Sequence, residues 1–170
     1  MNQDTEYYQA RDAAKFMEST SSEVAKLGQV ITPEIPADGK GYRSLYSFRN
    51  MVEMRLGDHL ARMGVSWKRV GKYISDLRVS NKRWLDSDGL DGWLVLDSSW
   101  NWGAGTTLDI AVYSVFKGRH TDVFIAVDVG MIKDAIRSAI DNNGDAITDD
   151  QLTEVIEQVE NEGNKIRGGR

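Results

Sequence analysis

The stretch Gly39–Ser47, GKGYRSLYS, sets two cations, Lys40 and Arg43, and two phenols, Tyr42 and Tyr46, in and beside a glycine-bearing turn. Turns are usually built from small polar residues, whereas these four side chains can bind phosphate. A guanidinium such as that of Arg43 meets a phosphate as a planar fork, and tyrosine hydroxyls donate to phosphate oxygens. Lys40 supplies attraction that weakens with salt, and glycine lets a backbone approach a duplex closely. Upstream, Ser21 and Ser22 open a short helical pattern that also holds Lys26. Hydroxyls and N–H groups at such an opening can serve phosphates or base edges, and Lys26 adds one phosphate contact. The chemistry predicted from these seven residues is contact with a nucleic-acid backbone. The structural alternative makes Tyr42 and Tyr46 packing residues that hold the turn on neighbouring helices.

Other candidate chemistry is thinner. Residues 141–152, DNNGDAITDDQL, place oxygen ligands at Asp141, Asn143 and Asp145 as a calcium loop does. Ala146 stands where that loop needs glycine, and Leu152 where it needs a bidentate glutamate. A plain connection capped by Thr148 and Gln151 is the reading we adopt. His59 and His120 lack ligands at metal spacing, and Asp86, Asp88 and Asp91 read as solvated linker carboxylates. The chain has no cysteine, which excludes disulfides, thiolate metal sites and thiol nucleophiles. No nucleophile elbow, phosphate-binding loop or dinucleotide fingerprint is found, so no enzyme activity, metal or cofactor is expected. Trp93, Trp100 and Trp102 cluster around SSWNWGAG, with Trp84 nearby. They could line a ligand pocket or interface, or pack a sheet against a helix.

The elements that must position the seven residues are helical. Ala13, Ala14, Phe16 and Met17 form a short apolar stripe. Thr20 and Glu23 then make a capping box ahead of Val24 and Leu27, a helix that ends near Gly28. Pro33 and Pro36 keep the chain extended into the turn at 37–41. Ser47 caps a third helix with Phe48, Met51, Val52, Leu56 and Leu60 inward until Gly64. Ser66 caps a fourth with Trp67, Val70, Ile74 and Leu77 on one side. A Ser/Asp/Gly-rich stretch over 81–91 breaks every period and reads as a linker.

Beyond it the period becomes that of strands. GWLVLD, TLDIAVYSVF and DVFIAVDV are predicted strands, with alternation at Leu108, Ile110 and Val112 and at Val123, Ile125 and Val127. Two helical stripes follow, Ile132 to Ile140 and Leu152 to Val159.

The sequences ARDAAKFMESTSSEV, GYRSLYS and MVEMRLGDHLARMGVSWKRVGKYISDL, spanning about residues 8–78, resemble the DNA-binding domain of the MerR family of bacterial regulators. That resemblance implies a winged helix-turn-helix whose second helix enters the major groove and whose Gly-Tyr-Arg turn is a wing. It implies groove and phosphate contacts from Ser21, Ser22 and Lys26, and wing contacts from Lys40, Tyr42, Arg43 and Tyr46. The family's usual Arg-Tyr-aromatic-acid run is replaced here by Ala25, Lys26, Leu27 and Gly28. The wing carries one extra residue between Arg43 and Tyr46, and the family's long dimerisation helix is cut short at Ser80.

The net charge of −5 gives no global nucleic-acid footprint, but its distribution is uneven. Residues 1–80 hold 12 Lys/Arg against 10 Asp/Glu, and residues 81–170 hold 9 against 16. The expected architecture is α+β: a winged helix-turn-helix over 1–80, the linker, then an acidic α+β domain over 92–170 with three antiparallel strands and two helices. The expected function is sequence-specific binding of double-stranded DNA by a transcriptional regulator. It would act as a homodimer, with a small-molecule or protein effector at the second domain. The alternatives are an excisionase-like DNA-bending factor and an interaction module that has lost DNA binding. No apolar run reaches the length of a membrane span, and MNQDTEYY has no secretory pattern. A cytoplasmic protein with no membrane partner is therefore expected.

Overall fold

A computed structural model of the chain describes residues 6–35, 44–80, 91–97, 99, 101–116 and 124–143. Among them, six helices and two small antiparallel sheets make a mixed α/β fold. Strand β1 (Tyr7–Gln9) runs into helix α1 (Ala10–Phe16), which buries Ala13, Ala14 and Phe16. Helix α2 (Ser21–Leu27) opens with the predicted Thr20–Glu23 capping box and buries Val24 and Leu27. Strand β2 (Leu45–Ser47) pairs antiparallel with β1, Tyr8 facing Tyr46. Helix α3 (Phe48–Arg62) is capped by Ser47, whose hydroxyl accepts from the Asn50 N–H. It closes at Gly64, φ +94°, where Gly64 N–H donates to Ala61 and Val65 N–H to Leu60. That double-bonded close needs a left-handed residue, which glycine adopts without a Cβ clash. Helix α4 (Trp67–Ser80) follows Ser66 and buries Val70, Tyr73, Ile74 and Leu77. Trp67, expected inward, is the first residue of the helix and is exposed.

The second sheet has the order β4-β3-β5, with β3 at Trp93–Asp97, β4 at Trp102–Gly105 and β5 at Phe124–Asp128. Three antiparallel strands were expected, but one is not where the alternation placed it. Residues 108–116, read as a strand, form helix α5 (Leu108–Phe116). The run is apolar enough to satisfy both periods. Its inward residues are Leu108, Ala111, Val112, Val115 and Phe116, which is helical spacing. The Thr107 hydroxyl accepts from Ile110 N–H and its carbonyl from Ala111 N–H, starting the helix.

The glycine-bearing segment Trp102–Gly105 supplies the third strand instead. A Cβ on Gly105 would overlap the Ala111 backbone nitrogen, and one on Gly103 would overlap the Ser114 hydroxyl and stand 2.6 Å from Val115 Cγ2. Helix α5 therefore lies directly on the β4 backbone, and only glycine permits that approach. The Asp97 carboxylate accepts from Ser99 N–H, Asn101 N–H and Asn101 Nδ2, each at 2.8 Å, and closes the β3–β4 turn.

The final described helix, α6 (Val129–Asn143), packs on α1 and α3. One hydrophobic cluster consequently joins Phe16, Met51, Leu56 and Leu60 from the first half with Leu94, Leu96, Ile132 and Ile136 from the second. The Arg137 guanidinium stands 5.6 Å from the Phe48 ring centroid. Lys133, fully buried on α6, pairs with Asp91 at 3.1 Å. Residues 144–170, which include the expected helix at 152–159 and most of the calcium-loop-like stretch, lie outside the described residues. Among the described residues, no helix is long and apolar enough to cross a membrane.

Candidate nucleic-acid interface

Helices α1 and α2 pack against each other across the turn Met17–Thr20, leaving Ser21, Ser22, Ala25 and Lys26 exposed along one side of α2. The turn is strained and braced. Glu18 takes φ +53°, a conformation that costs a non-glycine residue about 1 kcal/mol or more. There, Glu18 N–H donates to Lys15 and Ser19 N–H to Ala14. Arg55 of α3 holds the same turn, donating to the Phe16 carbonyl at 3.3 Å and to Glu18 Oε2 at 3.0 Å. The Thr20 hydroxyl and N–H, both bonded to Glu23, hold that carboxyl below its ordinary pKa, with the Ser19 hydroxyl adding to the effect. The exposed side of α2 is thus fixed by a turn, a cap and a cation from α3.

The stretch expected to contact phosphate is anchored at both ends. The chain leaves at Ile35 and returns at Leu45, where Leu45 N–H donates to the Ile35 carbonyl at 2.9 Å. Between them, Lys40, Tyr42 and Arg43 lie outside the described residues. Tyr46 is described, and its environment corrects the expectation of a phosphate contact. It is 3% exposed, part of the main cluster, and its hydroxyl stands 3.3 Å from where a Cβ on Gly28 would lie. Burial raises its pKa. Tyr46 packs the returning strand onto the end of α2 and is not available to a duplex.

Beneath the same two chain ends lies a polar network that no local sequence pattern announces. Asn50 Oδ1 accepts from Glu34 N–H at 2.7 Å and from Ser47 N–H at 3.3 Å. Asn50 Nδ2 donates to Glu53 Oε2 at 3.2 Å. Glu53 is 0% exposed and receives Arg78 of α4 on both oxygens, Nε at 2.7 Å and Nη2 at 2.5 Å. Arg78 Nη2 also donates to the Thr32 carbonyl at 2.9 Å. The contacts of Asn50 with Glu34 and of Arg78 with Glu53 and Thr32 span 16, 25 and 46 residues, so no spacing rule could pair them. Lys68 and Lys72, exposed one turn apart on α4, were also not singled out. Gly71 beside them approaches Val30 so closely that a Cβ would stand 3.1 Å from Val30 Cγ1.

The remaining candidates do not assemble into a site. Trp93 packs on the α5 side of the sheet and Trp102 on the opposite side with the main cluster, as their register requires. They share no pocket wall, and Trp100 lies outside the described residues. Asp91 is engaged by Lys133. His59 is half-buried on α3, and burial, then Arg55, hold its pKa below 6.5. Among the described residues, no three His, Cys, Asp or Glu side chains are placed to hold a metal ion. Compared with known proteins, the chain matches no family model and no curated protein.

Proposed function

We propose that this protein binds double-stranded DNA sequence-specifically as a transcriptional regulator, through a MerR-like winged helix-turn-helix formed by α1, α2, the segment between Ile35 and Leu45, α3 and α4. The observation that carries this reading is the exposed side of α2. A short helix is held by a capped and braced turn, yet it spends Ser21, Ser22 and Lys26 on solvent. In this reading α2 lies in the major groove, with Ser21 and Ser22 at base edges or phosphates and Lys26 on a phosphate. Lys40, Tyr42 and Arg43 meet the backbone from the wing. Tyr46 is left out of the contact set.

The second half carries the homodimer or effector contact. Its support is the outer side of α5, where Ile110 is 53% and Tyr113 70% exposed on a helix whose polar residues are Asp109 and Ser114. Two large side chains exposed one turn apart on this helix fit an interface better than open water. A regulator of this kind works in the cytoplasm.

One observation favours a second reading. The side of α2 that would face the bases offers a single cation, so phosphates would supply most of the affinity, as in an excisionase-like or architectural bending factor. Selection from a random duplex library separates the readings. Enrichment of a defined half-site supports the regulator. Enrichment of flexible steps without contacted bases supports the bender, and no enrichment with no binding removes both.

A further inference from the structure

We propose that Asn50, Glu53 and Arg78 form a positioning brace that sets where the wing meets the duplex, with Arg78 its central member. The inference rests on the DNA-binding reading above and deepens it. Glu53 is a carboxylate with no exposed surface, in the middle of a helix that has apolar positions to spare. Burying a charged pair returns little net stability compared with apolar residues of the same volume, so packing alone gives no reason for it.

What the network does is geometric. Two of its three backbone partners outside α3 and α4 are the Thr32 carbonyl and the Glu34 N–H. Both belong to the segment that leads directly into Ile35, the first residue of the wing's base. A third, Ser47 N–H, belongs to the strand that returns from it. The network therefore holds the outgoing and returning chain ends to α3 and α4 together. Arg78 contributes the part no shorter residue could. One guanidinium satisfies both oxygens of Glu53 and still reaches Thr32. A lysine can neutralise Glu53 but lacks the planar fork to hold all three acceptors.

The test is a set of double-mutant cycles on the full chain, read as duplex affinity across a salt series. Arg78→Lys keeps a cation for Glu53. The pair Glu53→Met/Arg78→Met keeps volume with no buried charge and serves if the lysine variant folds poorly. Either should leave the helical circular dichroism intact and weaken binding roughly five- to tenfold, with a shallower salt slope. Arg43→Ala should then cost much less in the braceless background than in the wild type. Lys26→Ala, on α2, should cost the same factor in both. A brace that acted only through general stability would couple to both sites alike, which would overturn the proposal. So would unchanged affinity in both braceless variants, or Arg43 effects that simply multiply. If the wild-type protein binds no duplex, the DNA-binding reading itself fails and the brace goes with it, an outcome distinct from wild-type binding with independent Arg43 and Arg78 effects.

Discussion

Replacing Ile136 by alanine tests whether the two halves stand or fall together. Ile136 is 0% exposed, on the face of α6 that meets α1 and α3, and belongs to the cluster containing Phe16, Leu56 and Leu60. Truncating a fully buried isoleucine to alanine removes its transfer free energy and leaves a cavity, together about 3–4 kcal/mol where neighbours cannot collapse. Helices α1 and α3 and strand β3 are tied from several directions around this point, so little collapse is expected. Against a total stability of about 5–15 kcal/mol, that loss lowers the melting temperature by roughly 10 °C. Urea unfolding followed by helical circular dichroism and by tryptophan fluorescence gives the decisive comparison. Trp67 is the one tryptophan in residues 1–80, and the other four lie beyond residue 80. Both signals should shift together, in one transition, and DNA affinity should fall as the first half loses its support. A loss below about 1 kcal/mol, or a first-half transition that does not move, would refute the shared core.

The other expectations are smaller in scope. Gly105→Ala should cost about 3 kcal/mol or more, because its Cβ meets the α5 backbone and cannot be relieved by a side-chain rotation; thermal melts check it, and a neutral outcome would contradict the packing of α5 on β4. Thr20→Ala removes the cap at the start of α2 and should cost about 1 kcal/mol of stability, with a larger loss in duplex binding than in urea midpoint if α2 is the groove helix. Tyr46→Phe keeps the packed ring and should leave duplex affinity unchanged, whereas removing a hydroxyl that donated to a phosphate would weaken binding several-fold. His59 has a folded-state pKa depressed below 6.5, so the unfolded chain takes up its proton first and the His59 contribution to stability, full above about pH 6.5, declines as pH falls from there to the folded-state pKa. His59→Gln should flatten that part of the stability curve, measured as urea midpoints from about pH 7.5 downward, and an unchanged slope would contradict the assignment.

What the sequence disclosed was mostly local. Thr20 with Glu23, Ser47 ahead of α3 and Gly64 after it act within one helical turn, so their spacing alone locates helix ends. The apolar periods of α1, α3 and α6 are legible for the same reason. The run 108–116 was not, because a segment apolar at nearly every position satisfies a period of two and of 3.6 alike. Its state was decided by the Thr107 cap and by a flat glycine surface on β4. That surface exists only once Gly103 faces Val95 and Gly105 faces Trp93 across the sheet. Tyr46 shows the limit for sites: residue type suggests a phosphate donor, while the close approach of Gly28 turns the ring into core. The Asn50–Glu53–Arg78 network was invisible because its partners meet through the tertiary fold across 25 residues between Glu53 and Arg78 and 46 between Thr32 and Arg78.

The affinity of the full chain for double-stranded DNA, measured against salt, tests DNA binding most directly. Lys26, Lys40 and Arg43 on phosphates give a slope of log affinity on log salt near −3 per protomer, from about −0.9 for each contact, and Arg43→Ala reduces it by about one. A wild-type protein with no duplex affinity, or with an affinity that salt leaves unchanged, would contradict the reading.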